Sequence, residues 1–120
     1  MYRLSKMELT HKTLANIEIV SPDGRIDQFS AESFQTALAP YLANCQKGGA
    51  ALVLDFSAVD YISSLGLRVL MLASRQVKTQ DGRIAIANLQ PIVEEVFKIT
   101  RFHLVFSIYQ SVESACESLA

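Results

Sequence analysis

The sequence predicts a single α/β domain over residues 1–120, with a mixed sheet of four to five strands and about four helices. Three observations lead to this fold class. Strand and helix patterns alternate from residue 50 onward, which is typical of a largely parallel sheet. Residues 6–20 contain period-two stretches that predict two further strands, added antiparallel. Hydrophobic residues make up 50% of the chain, which is enough for one buried core.

The first half of the chain is predicted to contain a turn and a helix after the first two strands. Residues 21–27 predict the turn, because they hold proline, aspartate and glycine together. Ser30 is the predicted N-cap of the helix. Pro40 is expected to kink or interrupt this helix, and the glycine pair 48–49 to end it. Its apolar stripe comprises Phe34, Leu38, Tyr41, Leu42 and Cys45.

A buried strand and a long helix are predicted next. Residues 50–56 form a short, continuous apolar run, which suits a strand covered by neighbouring elements. A helix follows from Ser64 to about Gln80, and Gly82 is its predicted terminator. The residues of this helix expected to face the core are Leu67, Leu70, Ser74 and Val77.

The last third of the chain alternates again between strand and helix. Residues 83–88 predict a strand, and residues 102–109 contain the last one. Pro91 suits the first turn of a helix, and Ser111 suits the N-cap of the final helix. The first of these helices is expected to bury Ile92, Val96 and Ile99, and the second Val112, Ala115, Cys116 and Leu119.

Composition excludes several classes of protein. The formal net charge is −1, with 11 basic and 12 acidic residues, which argues against binding to nucleic acid or to a membrane surface. The two cysteines, Cys45 and Cys116, show no metal-ligand spacing and are expected to be reduced and buried. No segment has the length or apolarity of a signal peptide or a membrane span. We therefore expect a cytoplasmic protein without direct membrane insertion.

Signatures of catalysis are also missing from the sequence. It contains no phosphate-binding loop, no dinucleotide-binding glycine motif and no nucleophile elbow. We therefore predict no enzymatic activity, no catalytic residue, no cofactor and no metal. Asp55 is expected at the carboxyl end of its strand, where open α/β sheets place ligands. For Asp27, Asp55 and Asp60, however, we favour the simpler interpretation that the carboxylates accept hydrogen bonds from turn backbone groups.

The junction Ser63-Ser64-Leu65-Gly66 is the most informative short segment. A serine here can cap the helix, which is worth about 1 kcal/mol. The glycine needs a further reason, because it lowers helix stability by about 1 kcal/mol relative to alanine. One reason is that a glycine has no Cβ, so the backbone is exposed and another molecule can approach it closely. A phosphate on Ser64 would meet free N–H groups and the positive end of the helix dipole.

Two segments resemble the STAS domain of bacterial anti-sigma-factor antagonists. The longer one is LVLDFSAVDYISSLGLRVL at 52–70, and the other is GRIDQFSAESF at 24–34. The resemblance implies that Ser64 is the phosphorylated serine, modified by an anti-sigma factor that is also a GHKL-type serine kinase. It implies that the unmodified protein binds this kinase, and that a PP2C-type phosphatase resets the switch. Ser63 stands where the family often has aspartate, so it is the second choice of acceptor.

The resemblance also suggests a set of partner-binding residues. Asp27 matches the family aspartate near the binding surface, and Asp55 is expected to be structural and adjacent to the site. Along the helix that begins at Ser64, the Ser64 hydroxyl, the Arg68 cation and an apolar side chain, Met71 or Leu72, are expected to follow one another beside Asp27. The partner-binding residues are therefore predicted to be Asp27, Ser63, Leu65, Gly66, Arg68 and Met71.

Two other functions remain open at this stage. The chain could be a non-catalytic STAS subunit of a lipid-transport or signalling complex, in which the serine need not be phosphorylated. A nucleotide-binding or hydrolysing domain is a third possibility, and it ranks below the others because no phosphate loop or adequate base is visible.

Overall fold

The structure, a computed structural model, describes residues 7–120. Residues 1–6, which include the first residue of the predicted N-terminal strand segment, lie outside this part. The described chain contains six strands, at β1 Glu8–Leu14, β2 Ile17–Ile26, β3 Ala51–Asp55, β4 Val59–Ile62, β5 Ile84–Ala87 and β6 Ser107–Tyr109. Its four α-helices are α1 Ala31–Asn44, α2 Ser64–Thr79, α3 Pro91–Ile99 and α4 Val112–Leu119, with a short 3-10 helix at Phe102–Leu104.

The strands form one mixed sheet, as the sequence predicts. Five of them lie in the order β1-β2-β3-β5-β6, and the short strand β4 pairs with the end of β2. Strand β1 is antiparallel to β2, whereas the other pairs are parallel. The helices between the parallel strands are therefore crossover connections, which place the loops after β2, β3 and β5 at one edge of the sheet.

The prediction of a turn at residues 21–27 is wrong, because β2 continues through this segment to Ile26. Strand β1 pairs with β2 as far as Asp23, and β2 then continues along β4. The register shifts between Gly24 and Arg25, and Gly24 has a φ of +99°. The turn-forming residues thus produce an irregularity within a long strand rather than a reversal of the chain. The chain reverses instead at Ala15, whose φ is 54°.

Helices cover both faces of the sheet. The larger core lies under α1, α2 and α3, and its biggest fully buried side chains include Phe34, Phe56 and Phe97. The smaller core lies under α4 and includes Ala115 and Leu119, two of the residues predicted for this face. Because both faces are covered, four of the five residues of β3 are buried, as expected for its continuous apolar run.

Helix α1 continues through Pro40 to Asn44, so the predicted interruption does not occur. Pro40 is exposed, and its ring is accommodated on the solvent side near the end of the helix. The helix ends before the glycine pair, and the side chain of Gln80 caps two carbonyl groups at its end. Its amide donates hydrogen bonds to the carbonyls of Leu42 and Cys45, at 2.9 and 2.8 Å.

The prediction of which side of α3 is buried is wrong. Val93 and Phe97 are the fully buried residues, whereas Ile92 and Ile99 are 61% and 74% exposed. Helix α3 carries apolar side chains on two faces, and the sequence pattern does not say which one meets the sheet. Phe97 decides it, because its ring packs between those of Phe56 and Phe102, with centroids 6.5 and 5.6 Å away.

Both cysteines are free thiols, as predicted, but only Cys45 is fully buried. Cys116 is half-buried on α4, so the prediction of burial is wrong for this residue. Burial raises the pKa of both thiols, which keeps them protonated at neutral pH.

We predict that Pro40→Ala raises the free energy of unfolding by about 1 to 2 kcal/mol, measured by urea titration. The proline removes an amide donor inside α1, and this effect exceeds the entropy that proline removes from the unfolded chain. Pro91→Ala is the matched control, since Pro91 is also exposed but occupies the first position of α3, which favours proline. A gain at Pro91 equal to that at Pro40 would contradict the explanation.

Candidate functional site

The serine junction lies where β4 leads into α2, beside the carboxyl end of β2. The backbone N–H of Ser63 donates a hydrogen bond to the carbonyl of Ile26, at 2.8 Å. Ile26 is the last residue of β2 and is fully buried. The start of α2 is therefore tied directly to the central part of the sheet.

Ser63 is the N-cap of α2. Its backbone is extended, with φ −92° and ψ 175°, and its hydroxyl accepts a hydrogen bond from the Gly66 N–H at 3.3 Å. Its carbonyl accepts the first intrahelical bond, from the Leu67 N–H at 2.9 Å. The sequence did not decide which of the two serines caps α2. The structure shows that Ser63 caps it, so the Ser64 hydroxyl is not needed for this role.

Ser64 occupies the first helical position and is exposed. Within residues 7–120, its hydroxyl has no hydrogen-bonding partner. The first turn of α2 contains no acidic residue, and the positive end of the helix dipole lies here. An anionic group on this hydroxyl would therefore meet a favourable potential without displacing a bond that holds the fold together.

Gly66 has a role that the sequence did not predict correctly. It is buried, and a Cβ atom at this position would lie 2.7 Å from side-chain carbons of both Ile26 and Ile62. The glycine does permit a close approach, but the approaching groups belong to the same chain and not to a partner. Gly66 therefore supports the site from beneath and is not part of its outer surface.

Asp27 follows β2 and orders the loop before α1. One of its carboxylate oxygens accepts a hydrogen bond from the Phe29 N–H at 2.9 Å, and the other lies 3.4 Å from Nε of Arg25. The Ser30 hydroxyl accepts a hydrogen bond from the Asp27 N–H and donates one to the carbonyl of Arg25, at 3.0 and 2.6 Å. Ser30 thus stands at the N-cap position as predicted, but its side chain secures the loop instead of capping α1.

These contacts also set the ionisation of Asp27. Partial burial acts to raise its pKa, but the hydrogen bonds from Phe29, Arg25 and Ser30 outweigh it, so that the pKa lies below its usual value. A lowered pKa in the folded state stabilises the fold above the pKa of the unfolded carboxyl. That contribution is lost as the pH falls through the folded-state pKa, so the loop is secured at neutral pH.

Asp55 ends β3, as predicted, and its carboxylate is used within the fold. One oxygen accepts hydrogen bonds from the Ser57 N–H at 3.0 Å and from the Asn88 side chain at 3.2 Å. Asp60, by contrast, is exposed on β4. These contacts join the loops after β3 and β5 and agree with the structural interpretation of Asp55, whereas its position beside the serine junction stays a prediction.

A shallow groove runs between α1 and α2 beside Ser64. On α2 it is lined by Leu65, Arg68 and Leu72, and Leu65 and Leu72 are 46% and 40% exposed. On α1 it includes Glu32, so charges of both signs border two exposed leucines. The full lining is Gln28, Ala31, Glu32, Gln35, Thr36, Leu65, Arg68, Val69 and Leu72.

The structure brings only some of the predicted partner-binding residues together in this groove. Leu65 and Arg68 line it, whereas Met71 is half-buried and packs against the larger core. The predicted set contains Met71 in place of its alternative Leu72, and it lacks Glu32. A signal for Leu72 was present, because Leu65 and Leu72 are seven residues apart and so lie on the same side of a helix.

Comparison with protein families identifies the chain. A family model described as STAS domain matches residues 8–115, which is most of the sequence. The chain belongs to the STAS domain family. A relative from Bordetella bronchiseptica, named "Putative anti-sigma factor antagonist BtrV", is 36% identical over 109 residues, covering 91% of each protein. The resemblance inferred from residues 24–34 and 52–70 is thereby confirmed.

Solved structures of proteins named as anti-sigma factor antagonists share the fold. An anti-sigma factor antagonist from Mycobacterium paratuberculosis superposes with a TM-score of 0.83 at 21% identity, covering 95% of this chain and 94% of that one. The Bacillus cell fate determinant SpoIIAA, in its phosphorylated form, gives a TM-score of 0.66 at 15% identity, covering 95% and 99%. STAS proteins of the antagonist type are non-enzymatic regulators, in agreement with the prediction that this one is not an enzyme.

Both histidines lie outside the serine junction. His11 contacts Glu18 at 2.7 Å on neighbouring strands, and His103 is exposed in the 3-10 helix. Among residues 7–120, no group of three or more histidine, cysteine or acidic side chains could hold a metal ion. No helix in this part of the chain is long and apolar enough to cross a membrane.

We predict that Ser63→Ala lowers the free energy of unfolding by about 1 kcal/mol, because it removes the cap of α2. Ser64→Ala is the matched control and should change stability by less than about 0.5 kcal/mol, since its hydroxyl is exposed. Urea unfolding monitored by circular dichroism measures both. Equal losses in the two variants would contradict the assignment of the cap to Ser63.

Proposed function

We propose that this STAS protein is a phosphorylation-regulated anti-sigma factor antagonist of a bacterial partner-switching pathway, acting in the cytoplasm. In its unmodified form it binds an anti-sigma factor that is also a GHKL-type serine kinase. The kinase phosphorylates Ser64 and the complex dissociates, and a PP2C-type phosphatase restores the binding form. The observation that carries this proposal is the exposed hydroxyl of Ser64 next to a separate capping serine.

Phosphorylation at Ser64 is compatible with an intact fold. A phosphate adds about 1.5 to 2 negative charges at neutral pH and brings strong acceptor oxygens. At the first position of α2 these charges meet the positive end of the helix dipole. The cap from Ser63 to Gly66 and the bond from Ser63 to Ile26 need not break. The modification can therefore change the surface while leaving the domain folded.

The groove between α1 and α2 is the proposed docking surface for the kinase. Leu65 and Leu72 supply an apolar centre, and Arg68 and Glu32 supply charges at its border, which is the usual anatomy of a protein interface. The surface extends to Ser63 and to the loop that Asp27 orders, because the Ser63 N–H is hydrogen-bonded to the carbonyl of Ile26, the residue before Asp27. Met71 lies half-buried outside the groove and is proposed only as an edge contact.

Similarity to named antagonists supports the kind of partner. The relative from Bordetella bronchiseptica is named a "Putative anti-sigma factor antagonist", and the match covers 91% of both chains. The alternative, a STAS subunit of a lipid-transport or signalling complex, has no specific observation in its favour.

We predict that Ser64 is the residue modified when the chain is incubated with its partner kinase and ATP. The kinase is obtained by pull-down from the source organism with the unmodified chain as bait. Phosphosite mapping by mass spectrometry should place the phosphate on Ser64, and Ser64→Ala should abolish the modification while keeping the partner bound. Ser64→Asp should weaken binding, since a carboxylate imitates a phosphate in part.

Ser63→Ala serves as the control, because it should still be phosphorylated at Ser64. Phosphate found only on Ser63, or on a serine outside the junction, would refute the assignment. Phosphorylation of Ser64 without any loss of partner affinity would leave the site intact but reject the switch. Capture of transporter subunits in place of a kinase would favour the alternative function.

We also predict that Leu72→Asp and Arg68→Glu each weaken kinase binding about tenfold or more, measured by calorimetry. The first places a charge in the apolar centre of the groove, and the second reverses the charge at its border. Both side chains are exposed, so the domain should stay folded. Met71→Asp is a poorer probe than Leu72→Asp, because Met71 packs against the core.

Matched controls for these two changes are Leu104→Asp and Lys78→Glu. Leu104 is exposed in the 3-10 helix, and Lys78 is exposed at the other end of α2. Both controls should bind the kinase as tightly as the parent. If Leu72→Asp and Arg68→Glu also retain full affinity while folded, the groove is not the docking surface.

A further inference from the structure

Helix α3 carries a stripe of apolar side chains that the fold does not bury. Ile92 and Ile99 are 61% and 74% exposed, and Val96 between them is half-buried. Their spacing of four and three residues aligns them on one side of the helix. We call Ile92, Val96 and Ile99 the α3 face. Scattered exposed apolar residues are ordinary, but an aligned set on one helix is typical of an interaction surface.

The α3 face is separate from the serine junction. The groove beside Ser64 lies between α1 and α2, and no residue of α3 lines it. Helix α3 lies in the crossover connection from β5 to β6, and β6 is the edge strand of the sheet opposite β1. A partner on the α3 face could therefore bind while the groove is occupied.

Charges around the α3 face are arranged in a self-complementary way. Glu94 and Glu95 lie in the first half of the helix, whereas Lys98 is in its last turn and Arg101 follows it. A second α3 packed antiparallel would bring the acidic half of one helix beside the basic half of the other. It would also set Ile92 opposite Ile99 and align the two helix dipoles favourably. A partner surface of one charge would match only one half of the helix.

We infer that the α3 face is a self-association surface, on which α3 of a second copy of this chain packs antiparallel about a two-fold axis. Glu95 of each copy then comes within reach of Lys98 of the other, whose ammonium group pairs with Glu94 of its own helix at 3.8 Å when the copies are apart. The face holds only three apolar side chains, which is small beside a standard interface of about 1,600 Å². The dimer is therefore weak, with dissociation in the micromolar to millimolar range.

Sedimentation velocity tests this inference on the purified, unphosphorylated chain. The sedimentation coefficient should rise between about 10 μM and about 1 mM, the range expected for an interface of this size. Ile99→Asp should move the midpoint of this rise about tenfold or more to higher concentration, and Ile92→Asp should act in the same way. Leu14→Asp is the matched control, because Leu14 is 57% exposed but lies on β1, at the opposite edge of the sheet.

Charge exchange tests the two-fold arrangement itself. Glu95→Lys and Lys98→Glu should each weaken self-association about fivefold, since each change acts twice in a symmetric dimer. The double variant should recover the parent midpoint. A parent that stays monomeric over the whole range overturns the inference, as does an equal effect of Leu14→Asp. If the double variant does not recover the parent midpoint, the antiparallel packing is wrong. If the parent is monomeric and Ile99→Asp loses kinase binding, the α3 face is a kinase-binding surface instead.

Discussion

The contact between the end of β2 and the first turn of α2 is the constraint on which the site depends. The Ser63 N–H is bonded to the Ile26 carbonyl, and Gly66 lies directly against the side chains of Ile26 and Ile62. This approach is possible only because position 66 has no Cβ. It fixes the start of α2 to a fully buried strand residue, so the hydroxyl of Ser64 is presented from a rigid support.

Strand β2 is able to make this contact because it does not turn where its sequence suggests. Proline, aspartate and glycine at 22–24 favour a reversal in isolation, but this part of the strand is paired: Pro22 and Asp23 pair with β1, and Gly24 pairs with β4. These pairings hold it extended, and the residual irregularity at Gly24 directs its last residues along β4. The local preference is overridden by sheet pairing, and the extension of β2 is what brings Ile26 and the Asp27 loop to α2.

Much of the fold was predictable from periodicity, and the candidate phosphoacceptor from a short motif. The alternation after residue 50, the N-cap at Ser111 and Pro91 at the start of α3 all depend on local rules. The misses share a physical cause, which is that sequence patterns give residue types but not neighbours. Phe97 and Ile99 are both apolar, and only the ring contacts of Phe97 decide which side of α3 is buried. The role of Gly66 was missed for the same reason.

The division of roles between the two serines gives the proposed switch its physical basis. Two leucines of the groove, each nearly half exposed, would together contribute about 2 kcal/mol when buried against a partner. A phosphate at the rim cannot be desolvated without a cationic partner, and leaving it unpaired costs several kcal/mol. The unfavourable term therefore exceeds the favourable one. Because Ser63 retains the cap, this reversal of binding does not require any change in the fold, and a phosphatase can undo it by removing the phosphate alone.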